Sequence, residues 1–113
     1  VDLVVIEGNQ GKIQGNGIML MEYVWQLKLA IMDITDEILV VPPTTLKLFW
    51  TGSGKGDKVA VASHLAVEFG IPFKSNNIAD AYGLMQLGRC YRGLHPMNAK
   101  QKTTIKKAVL HGL

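Results

Sequence analysis

A glutamate closes the first apolar run of this chain, an aspartate sits early in a later helical segment, and lysines cluster around a glycine loop between them. These side chains have chemistry to offer. The run is "VDLVVIEG", in which Val1, Leu3, Val4, Val5 and Ile6 read as a buried β-strand over 1–7 and Glu7 is followed at once by Gly8. A carboxylate there is costly unless it is solvated, paired or bound to a metal. The aspartate is Asp80 in "SNNIADAYGL", one turn into an otherwise apolar helix expected from about Ile78 to Cys90. It has a purely structural explanation: Asn77 as N-cap with an acid three residues on is a variant of the capping box, and acids favour the positive end of a helix. Sites in α/β sheets gather at the carboxyl ends of strands, where Glu7 stands. If Asp80 points at Glu7, the two carboxylates make a cation site whose oxygen ligands suit magnesium or manganese.

The lysines lie in "PPTTLKLFWTGSGKGDK", where Lys47, Lys55 and Lys58 surround a glycine loop with Trp50 nearby. A solvated loop accounts for them. So does phosphate contact, with lysines as point charges, backbone N–H groups exposed by glycine and a helix start behind them at Asp57.

Other motifs fail on spacing. Neither "GNQGKIQGNG" nor "TGSGKGDK" is a GxxxxGK[ST] phosphate loop, since Ile6 and Phe49 occupy the places of the first glycine. His64, His95 and His111 are scattered, and with the single Cys90 they give no zinc spacing. Cys90 excludes an internal disulfide, fits a reducing compartment and reads best as a small core residue.

Positioning these side chains requires a folded domain, and 113 residues with 48% hydrophobic content supply one. The net charge of +3 gives mild support for an anionic partner. No signal peptide is read at the start of the sequence. The most apolar segment, "GIMLMEYVWQLKLAIMDI", is interrupted by Glu22, Gln26, Lys28 and Asp33 too often for a membrane span.

The order of elements reads as follows. A polar loop from Gly8 to Gly17 follows the first strand, and a long helix covers roughly 17–34. "EILVV" at 37–41 is a second strand; Pro42 and Pro43 end it and start a short helix at Thr44 that stops at Gly52. A helix from about Asp57 to Phe69 ends at Gly70, and a last helix capped by Asn98 carries Lys100, Lys102, Lys106 and Lys107. On the 17–34 helix Glu22, Gln26 and Asp33 share one narrow stripe, and nearly everything else is apolar, including Met21, Val24 and Trp25. That is too much apolar surface for one buried face. A second burial partner is implied, either another part of the same domain or a second subunit.

Taken together, "VVIEG", "VPPTTLKLFWTGSGKGDK" and "NNIADAYGL" resemble, in order and spacing, the successive motifs of the RuvC family of Holliday-junction resolvases, and its phage-type branch in particular. The resemblance covers roughly residues 1–92. It implies an RNase H-like α/β fold over a single domain, 1–113, a homodimer, and cleavage of branched DNA (four-way junctions) with Mg²⁺ or Mn²⁺, two ions in the complete family site. It also implies a cytoplasmic location in a bacterial or phage-infected host cell.

In that family four acidic residues hold the metals, one from a first strand, one from the strand that here ends at Glu7, and two from a D-x-x-D at the start of a late helix. Glu7 takes the second role and Asp80 the last, while Asn77 stands where the third acid is expected. Lys47 and Lys58 match the family's functional lysines, Lys55 joins them from the residues alone, and helix 17–34, with Met21, Val24 and Trp25, matches its dimer helix. The family's first strand, with its aspartate, would precede Val1, so the sequence reads as the later part of the domain. With two of four acids, these 113 residues are expected not to cleave DNA by themselves. The segment 93–113 falls outside the resemblance and reads as a lysine-rich C-terminal helix.

Overall fold

β-Branched runs and glycine stops place most of the elements. The structure is a computed structural model that describes residues 3–8, 30–31, 35, 37–54 and 59–112. Strand β1 is Val4–Glu7 and strand β2 is Glu37–Val41. They pair in parallel, with Val4 opposite Ile38 and Glu7 opposite Val41. A parallel pair needs a crossover connection, and here it runs through residues 8–36. Of the long helix expected at 17–34, only Ala30 and Ile31 are described, and both are helical. Met21, Val24 and Trp25 lie outside the described residues.

β2 is the middle strand, and Ile38, Leu39 and Val41 are almost fully buried. Its other neighbour is β3, Val109–Gly112, which pairs with it antiparallel. This corrects the expectation of a lysine-rich helix over 93–113. Only Ala99–Thr104 is α-helical there (α4), followed by a single 3₁₀ turn at Ile105–Lys107. The residues after it satisfy the N–H and C=O groups of β2 that would otherwise form an open sheet edge.

Among the described residues, three helices connect β2 to this tail. α1 is Pro43–Thr51, with Pro43 in its first turn and Gly52 closing it at φ 78°; the Gly52 N–H donates to the Leu48 carbonyl over 2.9 Å. α2, Ala60–Phe69, ends in the same way at Gly70. α3 is Asn76–Tyr91. Its N-cap is Ser75 and not Asn77, because the Ser75 hydroxyl accepts the Ile78 N–H at 3.2 Å. Asp80 therefore stands beyond the first turn, and the capping-box explanation for it falls away.

Leu39 and Val41 from the sheet, Leu46, Phe49 and Trp50 from α1, Leu65 from α2 and Leu87 from α3 form one apolar core. Burying each such side chain contributes about 1.5–3 kcal/mol. Trp50 is 2% exposed and donates its indole N–H to the Gly83 carbonyl at 3.0 Å, so it belongs to the core and not to a binding loop. Cys90 is also buried, and burial pushes its thiol pKa up. Two glycines set how closely α3 approaches its neighbours. A Cβ on Gly83 would come within 3.2 Å of Leu65 and Trp50, and one on Gly88 within 2.6 Å of Val5. Among the described residues, no helix is long and apolar enough to cross a membrane. The described architecture is thus mixed α/β, a three-stranded sheet with packed helices.

Candidate functional site

Glu7 is the last residue of β1 and is exposed. The strand leaves through a tight exit: the Gly8 N–H donates to the Val41 carbonyl at 2.7 Å, and a Cβ on Gly8 would lie 2.5 Å from Val40 Cγ1. Only glycine fits there, so the pair Glu7–Gly8 fixes where the carboxylate emerges at the end of the sheet.

Asp80 reaches the same place from α3. That helix crosses β1 with Gly88 against Val5 and Leu3, so its opening turns lie toward the carboxyl end of the strand. Glu7, Lys47, Ser75, Asn76, Asn77 and Asp80 line one open cavity of about 550 Å³, with Pro43 and Thr44 from the start of α1 on its rim. Asn77 and Asp80 are three residues apart in a helix and so share a face.

The electrostatics of the cavity are those of two carboxylates held partly out of water. Glu7 has its pKa raised, chiefly by burial and then by the negative charge of Asp80. Asp80 is also raised by burial, against the opposing pull of the Lys47 ammonium. The two acids therefore feel one another, and a lysine on α1 partly balances them.

These groups fit a hard divalent cation. Mutual repulsion between carboxylates is what such an ion relieves, and carboxylate oxygens, amide carbonyls and water are its preferred ligands. Glu7 and Asp80 would hold it, and Asn77 can add only a neutral oxygen. Among the described residues no group of three His, Cys, Asp or Glu side chains comes together, so the four-acid set of the two-ion site is not assembled from them.

Lys47 lies at the cavity; Lys55 and Lys58 lie outside the described residues. His64 is exposed and pairs with Glu68 at 3.0 Å on α2, away from this cavity. Sequence reasoning singled out neither Thr44 nor Asn76 as a lining residue. The polar run "SNN" ahead of an apolar helix carried the signal for Asn76; Thr44 gave none beyond its place at a helix start. Compared with protein-family models, curated proteins and solved structures, the chain matches none.

Proposed function

We propose that the chain is a RuvC-like part of an RNase H-like, metal-dependent endonuclease that hydrolyses phosphodiester bonds in branched DNA. One observation carries the reading: Glu7 and Asp80, far apart in the sequence, line one cavity with Lys47 at the carboxyl end of β1. A divalent ion, when bound, supplies Lewis-acid stabilisation of a phosphoryl oxygen and a more acidic water. The residues of this chain bind and orient. Glu7 and Asp80 would hold the ion, from the strand end and from the helix. Lys47 offers an ammonium to a non-bridging phosphate oxygen. Asn77 and Asn76 present amide groups along the opening turn of α3. Outside the described residues, the resemblance adds Lys55 and Lys58 as further phosphate contacts and the segment 17–34, with Met21, Val24 and Trp25, as the dimer contact.

A second reading keeps the fold and the DNA but not the cleavage: a catalytically inactive nucleic-acid-binding relative. Asn77 favours it. Two divalent ions bring four positive charges, and a neutral amide in place of a carboxylate leaves them under-balanced.

The discriminating experiment is a cleavage assay on a four-way junction with Mg²⁺ and with EDTA, on this chain and on the same chain extended by an upstream strand that carries an aspartate, each with and without Asn77→Asp. The 113 residues are expected to bind the junction without cutting it, with or without the substitution, because the first-strand acid is not among them. Magnesium-dependent cutting that rises with Asn77→Asp in the extended chain supports the endonuclease. Binding with no cutting by either extended protein supports the inactive relative, and failure of this chain to bind junction DNA at low salt removes both.

A further inference from the structure

After Asp80 the sequence contains no further Asp or Glu, yet Arg89, Arg92, Lys100, Lys102, Lys106 and Lys107 follow. The segment from Lys100 to Lys107 holds four of these cations on a firmly seated support. Asn98 and Gln101 form a complete capping box: the Gln101 N–H donates to Asn98 Oδ1 at 2.8 Å, and the Asn98 N–H to Gln101 Oε1 at 3.1 Å. Thr104 and Ile105 are 3% and 8% exposed, so they anchor the segment in the core while Lys102, Lys106 and Lys107 stand in solvent. Among the described residues the carboxylates in ion pairs are Glu68, with His64, and Glu37, with Arg92. No described carboxylate pairs with these lysines.

The segment also docks on α1, the helix that carries Lys47 to the cavity of Glu7 and Asp80. The Lys100 ammonium donates to the Gly52 carbonyl and the Gln101 amide to the Phe49 carbonyl, docking α4 on the end of α1. Lys47 and Thr51 lie one turn apart on one face of α1, the Thr51 hydroxyl donating to the Lys47 carbonyl at 2.7 Å. Lys47 lines the first cavity. Thr51, Gly52 and Lys100 line a second of about 400 Å³. A helical rise of about 6 Å separates the two positions along α1, so one extended ligand can lie against both.

We propose that Lys102, Lys106 and Lys107 form a second nucleic-acid contact surface that grips the phosphate backbone of a duplex arm, joined through Lys100 and the face of α1 to the cavity that holds Lys47. The proposal rests on the nucleic-acid reading above and adds the surface that holds the DNA outside the cleft. The contact is sequence-independent, because flexible ammonium groups on an exposed helical segment present point charges and no base-reading geometry.

The test measures the salt dependence of binding to a four-way junction and to a plain duplex in EDTA, so that cleavage plays no part. The proteins are the wild type, Lys47→Ala, and a triple variant Lys102→Gln, Lys106→Gln, Lys107→Gln, with a triple arginine variant at the same positions as the charge-keeping control. Each phosphate contact contributes about 0.9 to the slope of log K against log salt. The triple glutamine variant is expected to lose about two to three units on both DNAs, with its melting temperature unchanged, and the arginine variant to keep the wild-type slope. An unchanged slope in the glutamine variant, with Lys47→Ala losing about one unit, overturns the proposal and leaves the cleft reading standing. Loss in the triple variant but not in Lys47→Ala keeps the tail surface and removes the cleft lysine. A wild type that does not bind DNA at low salt overturns both.

Discussion

The two charged regions of this protein are built in opposite ways. The cavity of Glu7 and Asp80 joins residues from β1, α1 and α3, which are remote in sequence, and holds like charges in each other's field. The lysine segment after Asn98 is built from neighbours, and its exposed cations project into water. The cavity depends on how closely α3 can lie on β1; the segment depends on a local cap and two anchoring side chains. A long-range site of repelling charges keeps its geometry only if packing elsewhere enforces it. A locally built surface keeps its charges with little help.

The sharpest way to break this contrast is at Gly88. A leucine there must displace Val5, which already sits 2.6 Å from where a Cβ would go. Overpacking of this kind costs about 1–3 kcal/mol, and it should push α3 off β1. Gly88→Leu is expected to melt well below the wild type in denaturant titration and to lose any divalent-cation response. If the variant folds with wild-type stability, the approach of α3 to β1 is not what holds the cavity together.

A smaller effect tests the cavity alone. At a divalent-ion concentration ten times its Kd, binding to the folded state adds about 1.4 kcal/mol. Mn²⁺ or Mg²⁺ should therefore raise the melting temperature of the wild type at neutral pH. The rise should vanish in Glu7→Gln and persist in the triple glutamine variant of the tail. Equal metal responses in the wild type and Glu7→Gln would assign the ion to some other group.

On the tail side, Asn98→Ala removes one half of the capping box, which costs about 1 kcal/mol for a typical cap. The loss should appear as a modest fall in the denaturation midpoint, with the metal-induced shift intact. A metal response that disappears along with the cap would mean the two regions are not independent.

Local signals explain why much of this was legible in the sequence. "EILVV" is strand β2 over the very residues expected, α1 starts at Pro43, one residue before the expected Thr44, and stops at Gly52, Gly70 ends α2, and Asn98 caps α4. Each depends on a residue's own backbone preference or on a partner a few positions away. β3 was not legible, because its reason for being a strand is the free edge of β2, far off in the chain. Nor could the N-cap of α3 be chosen among Ser75, Asn76 and Asn77, three good capping residues in a row, before the Ser75 hydroxyl was seen to take the Ile78 N–H. For the site, a carboxylate at a strand end and another in a late helix were visible. The glycine approaches at Gly83 and Gly88 that seat α3 were not, since a glycine inside a helix says only that something comes close.

The smallest effect is the most direct reading of the cavity's charge. Asp80 titrates above the ordinary aspartate value of 3.8 because burial disfavours its charged form, with the Lys47 ammonium opposing. Glu7 titrates above 4.5 because of burial and then the charge on Asp80. A carboxyl whose pKa is raised on folding binds its proton more tightly in the native state than in the unfolded chain. As pH rises from the ordinary values through the raised ones, the native state holds more protons than the unfolded state, so stability falls over that window. Above that window both groups are ionised and the whole penalty is present. Asp80→Asn removes one charge and lowers the cost of the other. It should therefore melt higher than the wild type at pH 7, by less than about 1 kcal/mol because both groups are partly solvated and screened. The difference should shrink toward zero once both proteins are protonated in acid. A divalent ion reverses the order: the ionised pair is then the binding form, so the wild type gains with added Mn²⁺ and the variant does not. Melting curves of the two proteins across that pH range, with EDTA and with Mn²⁺, measure both signs. If Asp80→Asn melts lower than the wild type in EDTA at pH 7, the carboxylate makes a stabilising contact that outweighs its desolvation, and the cavity does not store repulsion for a cation to relieve.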